Sequence, residues 1–283
     1  MQVAVNGFER FCEGHEEELT QLVQTFADYE PLSGLDRAHL RRWLRQFQAQ
    51  HRELALKLAG LISYYSTDKI NGLMGTLHGL IKQQIKSEGV AGSDVYYVPF
   101  GRSGESGEDT VRRFRNFNKL DRLKEQFVKA FDIQGILLKK KSYEPVVFFL
   151  DDFVGTGEQV TGAWHETIHQ MVPEYLRLYL AVVAGTAEGA DRIEKDTPFK
   201  VIAVHTIGSR QELMAKANTA LSDGDKRTIK RYCQQAGNHP LGFGEKGLLV
   251  SFAYGTPNNT LSVVRGSKGQ RPWAGLLPPW GDL

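Results

Sequence analysis

Two adjacent carboxylates, Asp151 and Asp152, close a run of apolar residues, Val146 to Leu150, and a Gly155-Thr156-Gly157 turn follows them. Ionised carboxylates accept hydrogen bonds from hydroxyl groups such as those of a sugar. Glycines let a ligand approach the main-chain amides of a turn closely, and the threonine adds a hydroxyl. A helix starting near Glu158 presents unpaired N–H groups and the positive end of its dipole, which suits an anion. An acidic pair beside an amide cradle therefore describes a pocket for a phosphorylated sugar. Two other readings of the same residues stand beside it. One is a solvated turn whose aspartate caps a helix. The other is a metal-dependent hydrolytic site, for which the neighbouring sequence supplies no further carboxylates or histidines.

The elements that must position these groups are legible in the pattern around them. Five consecutive apolar residues read as a strand buried on both faces, as in parallel sheets, where ligands bind at the carboxyl ends of strands. Further strands are expected at Asp94–Phe100, Leu178–Val183, Val201–His205 and Leu248–Ala253. Helical spacing recurs between them at Leu120/Leu123/Phe127/Phe131, Val160/Trp164/Ile168/Met171, Leu213/Met214/Ala217/Leu221 and Ile229/Tyr232/Cys233. Alternating strands and helices predict an α/β fold with a doubly wound, mainly parallel sheet. His205, at the end of one strand, reads first as a hydrogen-bonded structural histidine and second as a substrate contact.

Before about residue 90 the pattern is helical. Apolar stripes at Leu19/Leu22/Val23/Phe26, Leu40/Trp43/Leu44/Phe47, Leu54/Leu58/Leu61/Ile62/Tyr65 and Ile70/Leu73/Leu77/Ile81 fit amphipathic helices packed together. The expected division is a helical accessory or partner-binding domain, residues 1–90, and an α/β domain, residues 91–283, ending in a Pro/Trp-rich tail laid over the surface. Arg37, Arg41, Arg42, Arg45 and Arg52 form a basic face, read either as an ordinary solvated surface or as a dock for nucleic acid or an acidic partner.

Strand, paired acids and a Thr-Gly turn together resemble the phosphoribosyl pyrophosphate (PRPP) signature of the type I phosphoribosyltransferases. The resemblance implies that Asp151 and Asp152 take the ribose hydroxyls and carry the catalytic role. It implies that Gly155, Thr156, Gly157, Glu158 and Gln159 surround the 5′-phosphate. Arg102, Ser103 and Gly104, in a Gly/Ser turn after an earlier strand, then fall where the family holds the diphosphate. Lys139–Lys141 reads as a solvated basic turn, with help to the leaving diphosphate as the alternative. Mg2+ is the implied cofactor, held largely by the ligand's own oxygens with no dedicated metal ligands in the protein. Glu158 and Gln159 depart from the family pattern, and Glu158 adds negative charge beside the expected phosphate unless its side chain turns away.

The acidic motif, the late Thr256-Pro257-Asn258-Asn259-Thr260-Leu261 segment and the Trp/Pro tail narrow the resemblance to a subgroup of bacterial conflict and anti-phage systems, including retron cassettes. There the protein is expected to be an effector that transfers or hydrolyses a ribosyl group, a toxin restrained until infection. Asn258 and Asn259 are candidate substrate contacts, their amides standing after a strand. Expected partners are PRPP or a nucleotide-like molecule, and a protein or nucleoprotein such as a reverse transcriptase with its nucleic acid; a homo-oligomer stays open. The alternative is a sensing module that binds PRPP or a nucleotide without chemistry.

A net charge of +2 gives no global attraction to nucleic acid or to an anionic membrane. No apolar run approaches the ~20 residues of a membrane span, and the N-terminus lacks the pattern of a secretory signal. Cys12 and Cys233 have no metal-type spacing and are expected as buried or idle thiols rather than a disulfide. A cytoplasmic protein without a membrane partner is the expectation.

Overall fold

The computed structural model describes residues 7–101, 106–133, 135, 145–173, 176–266 and 272–280. Four helices come first: α1 Gly7–Gly14, α2 Glu16–Thr25, α3 Arg37–Arg45 and α4 Arg52–Gly60. A short strand, β1 Ser63–Tyr65, leads into the long helix α5, Thr67–Glu88. Then follow β2 Val95–Pro99, α6 Ser106–Phe117, β3 Val146–Val154 and α7 Glu158–Ala163. Next are β4 Arg177–Thr186, α8 Ala187–Asp196 and β5 Lys200–Ile207. The last elements are α9 Asp223–Ala236, β6 Val250–Phe252 and α10 Ser262–Arg265.

The chain forms two compact units, Asp68–Gly208 and the pair of segments Met1–Thr67 with Ser209–Leu283. This differs from a single boundary near residue 90, and the difference has a physical cause in each unit.

In the first unit, β2, β3, β4 and β5 lie side by side in that order, all parallel. The expected parallel α/β architecture is present. Val147, Phe149, Leu180 and Val182 share one core with Val160 of α7 and Ile193 of α8. Strand alternation sends Phe148 to the other face, where Tyr97, Phe148 and Tyr179 stack. There Phe114 of α6 meets Tyr97, and Gln84 of α5 donates to the Tyr179 hydroxyl at 2.8 Å. Helices thus cover both faces, which is why Val146–Leu150 are almost wholly buried. Helix α5 belongs with this sheet: Asn118 after α6 bonds the Met74 carbonyl, and Arg177 of β4 pairs with Glu88.

The second unit joins the two ends of the chain. β1 and β6 make a two-stranded parallel sheet, so the last expected strand pairs here and not in the main sheet. Leu19, Phe26, Trp43 and Leu44 from the early helices pack in one core with Leu249, Val263, Leu276 and Leu277. The described part of the tail is therefore core rather than a surface clamp: Trp273 is 8% exposed and Leu276 and Leu277 are fully buried, while Trp280, at 62%, faces solvent. The Tyr29 hydroxyl donates to the Pro278 carbonyl at 2.7 Å, and the Gln46 amide bonds both ways with Ala274. Both cysteines are free and buried, as expected.

Three helical expectations are corrected. The stripe from Leu54 to Tyr65 ends as a helix at Gly60, because Ser63–Tyr65 pairs with Val250–Phe252. Leu120–Phe131 is not one helix but two short 3-10 turns, Asp121–Gln126 and Ala130–Asp132. Between them Phe127 bridges to Tyr97 and stacks on its ring, so the edge of the sheet captures it. Leu213 and Leu221 are buried, but in irregular chain whose Leu213 amide bonds the Gly247 carbonyl.

Candidate functional site

β3 runs further than the apolar stretch, so Asp151 and Asp152 lie inside the strand, with Asp151 in register with Val182 of β4. Asp151 is 5% exposed and Asp152 is half-buried. The Asp151 Oδ1 accepts from the Ser106 hydroxyl at 2.8 Å and from the Asp152 amide at 2.9 Å. The first residue of α6 thus orients the buried acid. Burial, and secondarily the neighbouring Asp152 carboxylate, push the Asp151 carboxyl well above the usual range. Two adjacent acids of this kind are stabilised by the positive charge and hydrogen-bond donors that a cation or a sugar diol supplies.

The turn after β3 is held by close glycine packing. Gly157 sits at φ 75°, and a side chain there would approach the Gly189 carbonyl to 2.7 Å. At Gly189 a Cβ would meet the Gly155 carbonyl oxygen at 2.2 Å. Thr186 caps α8, accepting from the Gly189 amide at 3.0 Å while its hydroxyl donates to the Gly155 carbonyl. Thr186 and Gly189 were missed in the sequence reading. Their signal is Thr186-Ala187-Glu188-Gly189 at a strand end, a helix N-cap pattern whose third residue beyond the cap is glycine.

Thr156 is buried, and its hydroxyl lies 3.4 Å from the Glu158 amide. Glu158 is turned aside: its Oε1 accepts from Arg192 of α8 at 2.7 Å. The charge that set this turn apart from the family pattern is thus met by a cation. Gln159 is exposed. α7 continues as a π-helical stretch, Trp164–Ile168, and a final turn, His169–Met171. A cavity of about 630 Å³ runs along this helix, its lining including Gly101, Glu158 and Gln159 but not Asp151 or Asp152.

Arg102, Ser103 and Gly104 lie outside the described residues, as do Lys139–Lys141. Asn258 and Asn259 belong to the unit formed by the chain ends and build a loop there. The Asn259 amide donates to the Phe243 carbonyl at 2.9 Å and is 5% exposed, while the Asn258 carbonyl accepts from Phe243. His205 lies on β5 opposite Ala184, its pKa lowered by burial and then by the charge of Lys69. Within the arginine stripe, Arg37 pairs with Glu16, and Arg41 and Arg45 pair with Glu9. Arg45 and Arg52 also stand over the Phe8 ring, each 4.7 Å from its centroid. Acidic and aromatic residues of α1 and α2 occupy much of that basic face.

Among the described residues, no group of three or more His, Cys, Asp or Glu is placed to hold a metal ion, and no helix is long and apolar enough to cross a membrane. The search of curated proteins gives no match. The PRTase-CE family model matches residues 40–278, spanning β3, its acidic pair and the glycine-locked turn, so the chain belongs to the PRTase-CE family of phosphoribosyltransferase-like proteins.

Proposed function

We propose that the sheet unit binds PRPP, or a closely related ribose phosphate, and transfers or hydrolyses its ribosyl group. The observation that carries this reading is the acid pair in β3, with one member buried and oriented by Ser106, next to a turn whose backbone is fixed by Gly157 and Gly189. Asp151 and Asp152 accept the ribose hydroxyls, whose donors offset the mutual repulsion of the two acids. The amides of Gly155–Gln159 receive the 5′-phosphate, and the Glu158 side chain stays on Arg192. Hydroxyl contacts that strengthen as C1 gains positive character stabilise an oxocarbenium-like transition state.

A hard divalent cation fits beside this pair, because oxygen donors with uncompensated like charge suit Mg2+ together with the ligand's own oxygens. When bound, Mg2+ would supply charge neutralisation for the departing diphosphate. Asp152, the more accessible acid, is the residue to hold it. In the defence setting that the resemblance implies, a nucleoprotein partner engages surface other than the paired arginines of α3.

The test is calorimetric PRPP binding together with mass spectrometry of products from PRPP, Mg2+ and a nucleotide pool. Wild type is expected to bind PRPP and release diphosphate, and the Asp151→Asn/Asp152→Asn double variant to do neither while staying folded. Binding without diphosphate release makes the unit a sensor. No binding of any ribose phosphate overturns the reading.

A further inference from the structure

We propose that a groove between α5 and the sheet edge at β2 is a second small-molecule site, for a soluble ligand with an apolar body and one anionic oxygen head such as a carboxylate. The proposal does not depend on the PRPP reading. The groove encloses about 760 Å³, in the range of ligand sites, commonly 300–1,000 Å³. It shares no residue with the acid pair or with the turn after β3. Val95, in its floor, is in register with Val146, the first residue of β3. Asp151 therefore lies ~17 Å further along the sheet, at ~3.3 Å per residue.

A buried donor without a partner marks the polar end. Tyr97 lines the groove and is 3% exposed, and among the described residues its hydroxyl makes no hydrogen bond. The ring is held by its neighbours, stacking on Phe127 at 4.8 Å and on Phe148 at 6.1 Å. Burial alone pushes its pKa up to about 12, so at neutral pH the phenol keeps its proton and can donate it. Buried polar groups are ordinarily hydrogen-bonded, and an unused phenol in an apolar groove calls for an acceptor from outside the chain.

The charge of the lining says which acceptor. Lys82 and Lys86, one turn apart on α5, are exposed and form no ion pair among the described residues, and no carboxylate lines the groove. Glu88, at the end of the same helix, is held by Arg177 and Tyr179. His78, one turn before Lys82, also lines the groove, its pKa lowered by burial and then by the Lys82 charge. The rest is apolar: Val95 is buried, Ile85 half-buried and Leu123 37% exposed. An anionic head meets O–H and N–H donors here while an alkyl or aryl body covers Val95, Ile85 and Leu123. A cation of the same shape would meet two like charges.

The experiment titrates the full-length protein with anilinonaphthalene sulfonate, an aromatic anion whose fluorescence rises in apolar surroundings. Decanoate and decylammonium, equal in chain and opposite in charge, serve as competitors. Micromolar binding is expected, displaced by decanoate and not by decylammonium. Tyr97→Phe keeps the ring contacts and removes only the hydroxyl. It is expected to weaken the dye several-fold with a thermal midpoint no lower than wild type, because the fold does not use that hydroxyl. Lys82→Gln/Lys86→Gln is expected to weaken the dye at least tenfold. Asp151→Asn/Asp152→Asn is expected to bind it as wild type does, separating the groove from the proposed ribose site. Absence of dye binding, equal displacement by decylammonium, or full affinity in both Tyr97→Phe and the lysine double variant overturns the proposal. Dye that decanoate does not displace, with cosedimentation of the protein on phosphatidylserine vesicles, would set the groove against a membrane and overturn a soluble ligand.

Discussion

In the sheet unit, the polar groups around the candidate site are fixed by neighbours one crossover away: Ser106 on Asp151, Thr186 on Gly155, Arg192 on Glu158. In the unit built from the chain ends, the corresponding bonds join residues more than 200 positions apart, such as Trp43 to Val263 and Tyr29 to Pro278. The first arrangement confines a lesion to the site. The second makes the early helices and the tail a single cooperative body, because neither segment buries its apolar side chains alone. Changes in the tail should therefore cost stability, and changes around the turn should cost binding.

The strongest challenge to this contrast is Trp273→Ala. Trp273 packs edge-on to Phe47 with centroids 5.4 Å apart and lies near Tyr232 and the Val263 carbonyl. Losing a buried tryptophan costs ~3–5 kcal/mol, to be read from urea denaturation, with PRPP affinity per folded molecule unchanged. A loss below ~1 kcal/mol would mean that the tail is dispensable to that core.

Gly189→Val probes the opposite case. Its added Cβ meets the Gly155 oxygen at 2.2 Å and the Thr186 hydroxyl at 2.9 Å, so the turn must move. Overpacking of this kind costs ~1–3 kcal/mol. The larger signature should be in function: at least a tenfold loss of ribose-phosphate affinity by calorimetry. A variant that unfolds earlier but binds normally would detach the turn from the phosphate.

Asp151→Asn should reveal a site that holds its acid against stability. Burial and Asp152 raise the folded pKa, so the ionised form is disfavoured in the fold. The unfolded aspartate ionises near pH 3.9. As pH rises above that value the wild type loses stability relative to the variant, until the folded carboxyl has itself ionised. At neutral pH the asparagine protein should be more stable than the wild type, while failing to bind the ribose. The stability gap should close below about pH 4 in thermal melts. A variant less stable than wild type at neutral pH would show that Asp151 is already compensated.

These predictions rest on parts of the molecule that the sequence revealed unequally. Val146–Leu150, the acid pair and the Gly-Thr-Gly turn were legible because a buried parallel strand is a local apolar run and its ligand end carries local chemistry. Ser106, Thr186 and Gly189 were not, since their roles arise only when β2, β3 and β4 are placed side by side. The union of residues 1–67 with residues 209–283 was hidden further, because periodicity shows that Leu19 or Trp43 faces a core but not which distant segment supplies it. Phe127 shows the same limit: its spacing with Leu120, Leu123 and Phe131 is helical, but contact with Tyr97 decides its conformation.

The smallest expected effect concerns Glu158, the residue most at odds with a phosphate site. Its bridge to Arg192 joins side chains 43% and 41% exposed, so breaking it should cost at most ~1 kcal/mol. Because the carboxylate is drawn toward α8, Glu158→Gln should change ribose-phosphate affinity less than about threefold. Arg192→Ala should do more: the unpaired glutamate can then turn toward the phosphate, weakening binding several-fold in low salt and less as salt screens it. The double variant should return to near wild-type affinity, since it removes the freed charge along with its partner. If Glu158→Gln alone raised affinity tenfold, the glutamate would be facing the phosphate, and the ion pair with Arg192 would not be what reconciles this turn with an anion.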